Sequence, residues 1–214
     1  MLRAWRKGDW QALARLQLAH PHETAEITLN ALSNPHGDYE FANSFIGIVE
    51  KSPQVRDKIL SHLANNKDSK VRGQCAMAFM ADTATSPKVL DAFLRALKDP
   101  SEQVVSVVCT QLGLWGGEET IKALFGTLSH PSWMVRLSVC QALMQLQVAD
   151  TRVVAALERM AHEPEATVYN AVMDKFKLAP WDKEGSFDRG KPAKIEDLLA
   201  QAQQLAAKRH KHYS

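Results

Sequence analysis

Residues 93–113, FLRALKDPSEQVVSVVCTQLG, and residues 124–143, LFGTLSHPSWMVRLSVCQAL, can be laid one under the other almost position for position. Each starts on a large apolar residue, Phe93 or Leu124, passes a turn marked Asp99-Pro100 or His130-Pro131, and reaches Val104 or Val135 eleven residues on. The same spacing recurs on both sides, from Leu60 through Asn66-Lys67-Asp68 to Val71, and from Leu157 through Glu163-Pro164 to Val168. The four valines stand 33, 31 and 33 residues apart. A fixed period of this length marks a repeat in which one supersecondary unit is stacked on the next.

Each unit contains two helices. Four residues past the valines stand Cys75, Val108, Val139 and Val172, and eight past them Phe79, Leu112, Leu143 and Phe176. Steps of four keep side chains on one face of a helix, so every second helix carries an apolar stripe, and the residue eleven positions earlier belongs to a first helix before the turn. The stripe predicts burial of all four valines between neighbouring pairs, because no single pair covers its own apolar face. The fold class expected is all-α.

An earlier unit is less regular. Phe41, Phe45 and Val49 repeat the stripe, but position 30 is Asn30, with Leu29 next to it. Asp9 is placed to cap a helix over Trp10 to Leu18, and Pro21 with Glu23 opens another. After Leu178 the period stops in a stretch holding Pro180, Trp181, Gly185 and Pro192. The organisation expected is a repeat body over 1–178 (about five helix pairs), a linker over 179–193 and an amphipathic helix with a basic tail over 194–214. In that helix Ile195, Leu198, Leu199, Ala202, Leu205 and Ala206 share one side. It either folds back as a cap or is held out for a partner, and an open edge of stacked pairs favours the cap.

The two quoted segments resemble HEAT repeats, specifically the short bacterial variety also found in phycobilin-lyase subunits. The resemblance covers about residues 20 to 178 and rests on the Asp-Pro or His-Pro turn, the valine, and Arg72 and Arg136 directly after it. It implies a right-handed α-α superhelical solenoid of antiparallel helix pairs, with second helices lining a concave face. It also implies a ladder of polar contacts made by the arginines, and that ladder is incomplete where Val105 and Tyr169 take their place.

Composition narrows the function classes. A formal charge of +2 over 214 residues gives no reason to expect nucleic acid or an anionic membrane as a whole-surface partner. Cys75, Cys109 and Cys140 lie far apart in apolar stretches, which reads as buried thiols rather than a disulfide framework or a zinc site. The first ten residues carry Arg3, Arg6, Lys7 and Asp9, so neither a signal peptide nor a membrane span is expected, and a cytoplasmic protein is. No phosphate-cradling glycine loop, no nucleophile elbow and no His-Glu-x-x-His helix occurs. Deoxyhypusine hydroxylases, built from similar repeats, hold two irons with four His-Glu pairs. Here only His22-Glu23 and His162-Glu163 occur, about 140 residues apart, so neither metal nor cofactor nor catalysis is expected.

The exposed side of the second helices can be read from the same period. Three and six residues past the valines lie Gln74 and Met77, Val107 and Thr110, Ser138 and Gln141, Ala171 and Asp174, with no lysine or arginine among them. A groove that grips phosphates needs several cations, whereas a neutral, amide-bearing one suits a peptide or a helix. Some of these positions are alternatively covered by neighbouring repeats. Trp133, in the turn where other repeats carry Ser69, Glu102 and Ala166, either contacts a partner or packs over an adjacent turn. The candidate protein-binding residues are therefore Gln74, Met77, Thr110, Trp133, Gln141 and Asp174. A non-catalytic scaffold or adaptor is the expected role. The alternatives are a nucleic-acid binder resembling the DNA alkylation repeat proteins, which would need clustered cations, and a bilin lyase or chaperone subunit, suggested only by the repeat type. The tail Lys208-Arg209-His210-Lys211-His212 reads as a solvated chain end.

Overall fold

The computed structural model describes residues 53–79, 86–177 and 193–211, with isolated positions between 15 and 26. The expectations for Phe41, Phe45, Val49 and Trp10, and for 179–192, fall outside them. Among the described residues there are nine helices and no strand, so the fold is all-α. The chain divides into two compact units, Met1–Ala123 and Leu124–Ser214.

The first unit holds α1 (Pro53–Asn65), α2 (Ser69–Met77), α3 (Pro87–Ala96) and α4 (Glu102–Trp115). Local chemistry sets their ends. Pro53 and Pro87 open helices at positions where a missing N–H costs nothing. Asp68 caps α2 by accepting the backbone N–H of Lys70 at 2.8 Å. α4 stops where Gly116 and Gly117 take φ of 74° and 92°, a region that side chains rarely adopt. Short turns fold α2 back on α1 and α4 back on α3, while α1 packs on α3 and α2 on α4.

The interior of this unit is the set that the period selects: Leu60, Val71, Cys75, Phe79, Phe93, Val104, Val108 and Leu112 are all buried. Phe93 sits at its centre. Its ring meets Phe79 edge-on at 5.5 Å between centroids and Trp115 at 4.4 Å. Trp115, next to Gly116 and Gly117 in the sequence, is the last residue of α4. The apolar partner below it holds the helix on until Gly116.

The helix α5 (Glu118–Thr127) begins in the first unit and ends in the second. The second unit continues with α6 (Trp133–Gln145), α7 (Thr151–Ala161), α8 (Pro164–Lys177) and α9 (Ile195–Lys211). Leu124, Val135, Val139, Leu143 and Leu157 are buried as the repeat requires. Asp150 caps α7 through the N–H of Arg152 at 2.8 Å, and the Arg152 guanidinium lies 3.7 Å above the Phe125 ring. α9 lies mainly along α7, with Ile195, Leu198 and Ala202 buried, and thus extends the row of first helices. It folds back.

One expectation of the repeat fails. Val168 is 67% exposed and Val172 is exposed as well, while Ala166 is buried. α8 is rotated relative to the other second helices because Tyr169 turns its ring against Trp133, 5.4 Å between centroids, and Asn170 accepts the Ile195 N–H at 3.0 Å. Burying an aromatic ring against an indole removes more apolar surface from water than burying a valine would, so the ring sets the rotation.

Phe93→Ala should lower stability by about 3–5 kcal/mol, since it removes the ring common to both aromatic contacts and leaves a cavity. A urea midpoint followed by far-UV circular dichroism measures it.

Candidate functional site: turn ladders and exposed second-helix faces

Three of the four repeat turns are held by their own first residue. The Asn66 Oδ1 accepts the Asp68 N–H at 2.9 Å, the Asp99 Oδ1 accepts the Ser101 N–H at 2.8 Å, and the His130 Nδ1 accepts the Ser132 N–H at 3.1 Å. That residue also receives the arginine ladder. Arg72 donates from Nη1 to the Asn66 carbonyl at 2.7 Å, and from Nε and Nη2 to the two carboxylate oxygens of Asp99 at 2.7 and 2.8 Å. Arg136 repeats the first arm, donating to the His130 and Pro131 carbonyls, and pairs through Nη2 with Glu163. Acids thus stand at the turn that follows each arginine repeat. After Val105, which offers no donor, the corresponding turn residue is His130. At the fourth position the Tyr169 hydroxyl donates to the Ala193 carbonyl at 3.0 Å, tying the start of α9 to α8.

The two arginine pairs differ in closure. Arg72 and Asp99 are 10% and 7% exposed at their side chains, with both carboxylate oxygens engaged, and the Asp99 hydrogen bonds hold the guanidinium pKa above its ordinary value. Arg136 and Glu163 are 15% and 36% exposed and touch through one nitrogen. Loss of the closed pair strands a buried carboxylate. Arg72→Ala should cost about 3–5 kcal/mol, whereas Arg136→Ala should cost roughly 1–2 kcal/mol. Paired denaturation curves check the difference.

The candidate binding residues separate by environment, and each unit is considered alone. In the first unit Gln74 and Met77 on α2 are half-buried and Thr110 on α4 is exposed, its hydroxyl donating to the Ser106 carbonyl at 3.1 Å. Leu114 is exposed beside them, and Val107 is half-buried. The Gln74 and Gln111 side-chain oxygens and the Trp115 indole N–H are buried without a hydrogen-bond partner among the described residues. Sequence spacing did not single out Gln111 or Trp115. Their signal was the one-turn step between them, which puts an amide and an indole on the same strip of α4.

In the second unit Gln141 is exposed and hydrogen-bonded to Tyr169, whose hydroxyl pKa burial pushes up and Gln141 eases down. Asp174 is exposed but ion-paired with Lys194 at 2.8 Å, so it serves the docking of α9. Ser138 is buried, donating to the Met134 carbonyl at 3.0 Å. Trp133 is a correction. It is 4% exposed, and its indole donates to the Met160 carbonyl at 3.2 Å, so its ring belongs to the interior and has no free face for a partner. As the first residue of α6, it points back along the helix over the preceding turn, where α7 and α8 enclose it.

No group of three or more histidine, cysteine, aspartate or glutamate side chains able to hold a metal occurs among the described residues. Glu163 of the His162-Glu163 pair is engaged by Arg136. Among them, too, no helix is long and apolar enough to cross a membrane. Burial pushes Cys75, Cys109 and Cys140 up to about 12, against which Arg136 and Arg159 only partly lower Cys140. Thiols raised this far are protonated and poor nucleophiles. A folded thiol above its unfolded value of 9.0 stabilises the protein below pH 9, and that contribution disappears as the pH rises from 9 toward 12. Iodoacetamide at pH 8 should therefore label none of the three in the folded chain. The urea midpoint should fall above pH 9 by more than it does in a triple Cys→Ala variant.

Stacked helix pairs with braced turns and second-helix faces define a helical-repeat protein. Residues 90–173 match the family model described as HEAT repeats, so the pairs in that stretch are similar to HEAT repeats. No curated protein matches the chain.

Proposed function

We propose that this chain is a non-catalytic scaffold that holds a segment of another protein on the exposed faces of its second helices. HEAT repeats are commonly protein-interaction scaffolds, which supports the class. The observation that carries the reading is the chemistry of the first unit's face. Gln74, Met77, Thr110, Gln111 and Leu114 offer amides, a hydroxyl and apolar surface with no charge. An extended or helical segment supplies apolar contact for Met77 and Leu114 and an N–H donor for the exposed Thr110 hydroxyl oxygen, whereas these residues present no cation to a polyanion. In the second unit the corresponding contribution comes from Gln141. Asp174 joins it only when Lys194 is released.

Crosslinking capture from a native lysate tests the reading, comparing wild type with Met77→Glu/Thr110→Glu in the first unit and Gln141→Glu in the second. The introduced carboxylates place uncompensated charge on a neutral interface, so capture by the first variant should fall at least about tenfold. Undiminished capture by both variants removes these faces from the function.

A further inference from the structure

The second unit contains a cleft of about 280 Å³ lined by Leu128, Ser129, Arg136, Ala156, Arg159 and Glu163. It lies beside the repeat turns and is independent of the face proposed above. Two guanidiniums and one carboxylate line it, so its ionised side chains sum to a single positive charge.

The first unit supplies the template for what such a charge holds. On Arg72 the Asp99 carboxylate lies across the Nε–Nη2 edge with both oxygens bonded. On Arg136 the same edge is half used. Nη2 meets Glu163, and Nε donates to nothing among the described residues. Arg159, on α7, also lines the cleft, and its one hydrogen bond among the described residues runs from Nε to the Ala155 carbonyl of its own helix at 3.4 Å. Both guanidiniums lower the pKa of the buried Cys140, so both charges lie near the same place.

We infer that this cleft is a receptor for one carboxylate group, which takes the open Nε–H of Arg136 with one oxygen and reaches the guanidinium of Arg159 with the other. Guanidinium N–H donors from two side chains match the two oxygens of a carboxylate. One negative charge balances the cleft, whereas a phosphate dianion would overfill it beside Glu163. The volume lies below the roughly 300–1,000 Å³ of sites for drug-sized ligands, which limits the occupant to a small organic acid or a single acidic side chain.

Sodium acetate is the probe, titrated at constant ionic strength against chloride while the amide resonances of Ser129, His130 and Arg136 are followed by NMR. Saturable shifts with acetate but not chloride are expected. Arg159→Gln, whose side chain holds no other helix in place, should weaken them at least about tenfold, and Glu163→Gln, which removes the competing carboxylate, should strengthen them several-fold. Shifts identical in acetate and chloride, or unchanged in Arg159→Gln, overturn the inference. So does weaker binding by Glu163→Gln with its fold intact by circular dichroism. A blocked peptide with one glutamate that binds more tightly than acetate assigns the ligand to a protein side chain. Equal affinity assigns it to a free organic acid.

Discussion

No helix pair in this chain can hide its own apolar stripe, and the architecture follows from that shortage. Val71 and Cys75 need α4, Val104 and Val108 need α2, and Phe93 needs both Phe79 and Trp115. The sharing is directional. First helices lie along first helices, as α1 does on α3 and α9 on α7, while second helices meet second helices, as α2 meets α4. Surface left over on the outer side of α2 and α4 is therefore free to be neutral, whereas on α8 part of it, Asp174, ties down α9.

Turns carry the second layer of constraint. A buried guanidinium is tolerable only when every donor finds an acceptor, and the backbone carbonyls of the turn together with an acid in the next turn supply them. Asp99 meets this demand fully and Glu163 partly. The longer glutamate side chain reaches Arg136 through a single nitrogen and stays 36% exposed. Two copies of one motif thus differ in a way that separates a structural brace from an open, charged recess.

Much of the fold was legible because burial follows a period that sequence records directly. Leu60, Phe93, Leu124 and Leu157, and the first three valines, lie where spacing places them. Val168 does not, since periodicity cannot register that a bulky neighbour, here Tyr169 against Trp133, overrides a stripe of smaller residues. Trp133 kept two readings in sequence, partner contact and packing over an adjacent turn, for a related reason, and the structure shows the packing. A large aromatic at a turn looks solvent-exposed in one dimension, and only the arrival of α7 and α8 encloses it. The candidate faces were legible as neutral surface. The cleft was not, because Arg136, Arg159 and Glu163 come together through packing and not through any shared spacing.

The ties from Arg72 to Asp99, from Arg136 to Glu163, and from Trp133 to Met160 all span 27 residues. Each loop that must close during folding is thus short, and its entropic cost is nearly the same everywhere along the repeats. A chain wired in this way has low contact order. Nucleation can begin at more than one pair and spread to the next, so a lesion in one repeat loosens its neighbours first and leaves distant pairs close to their native strength.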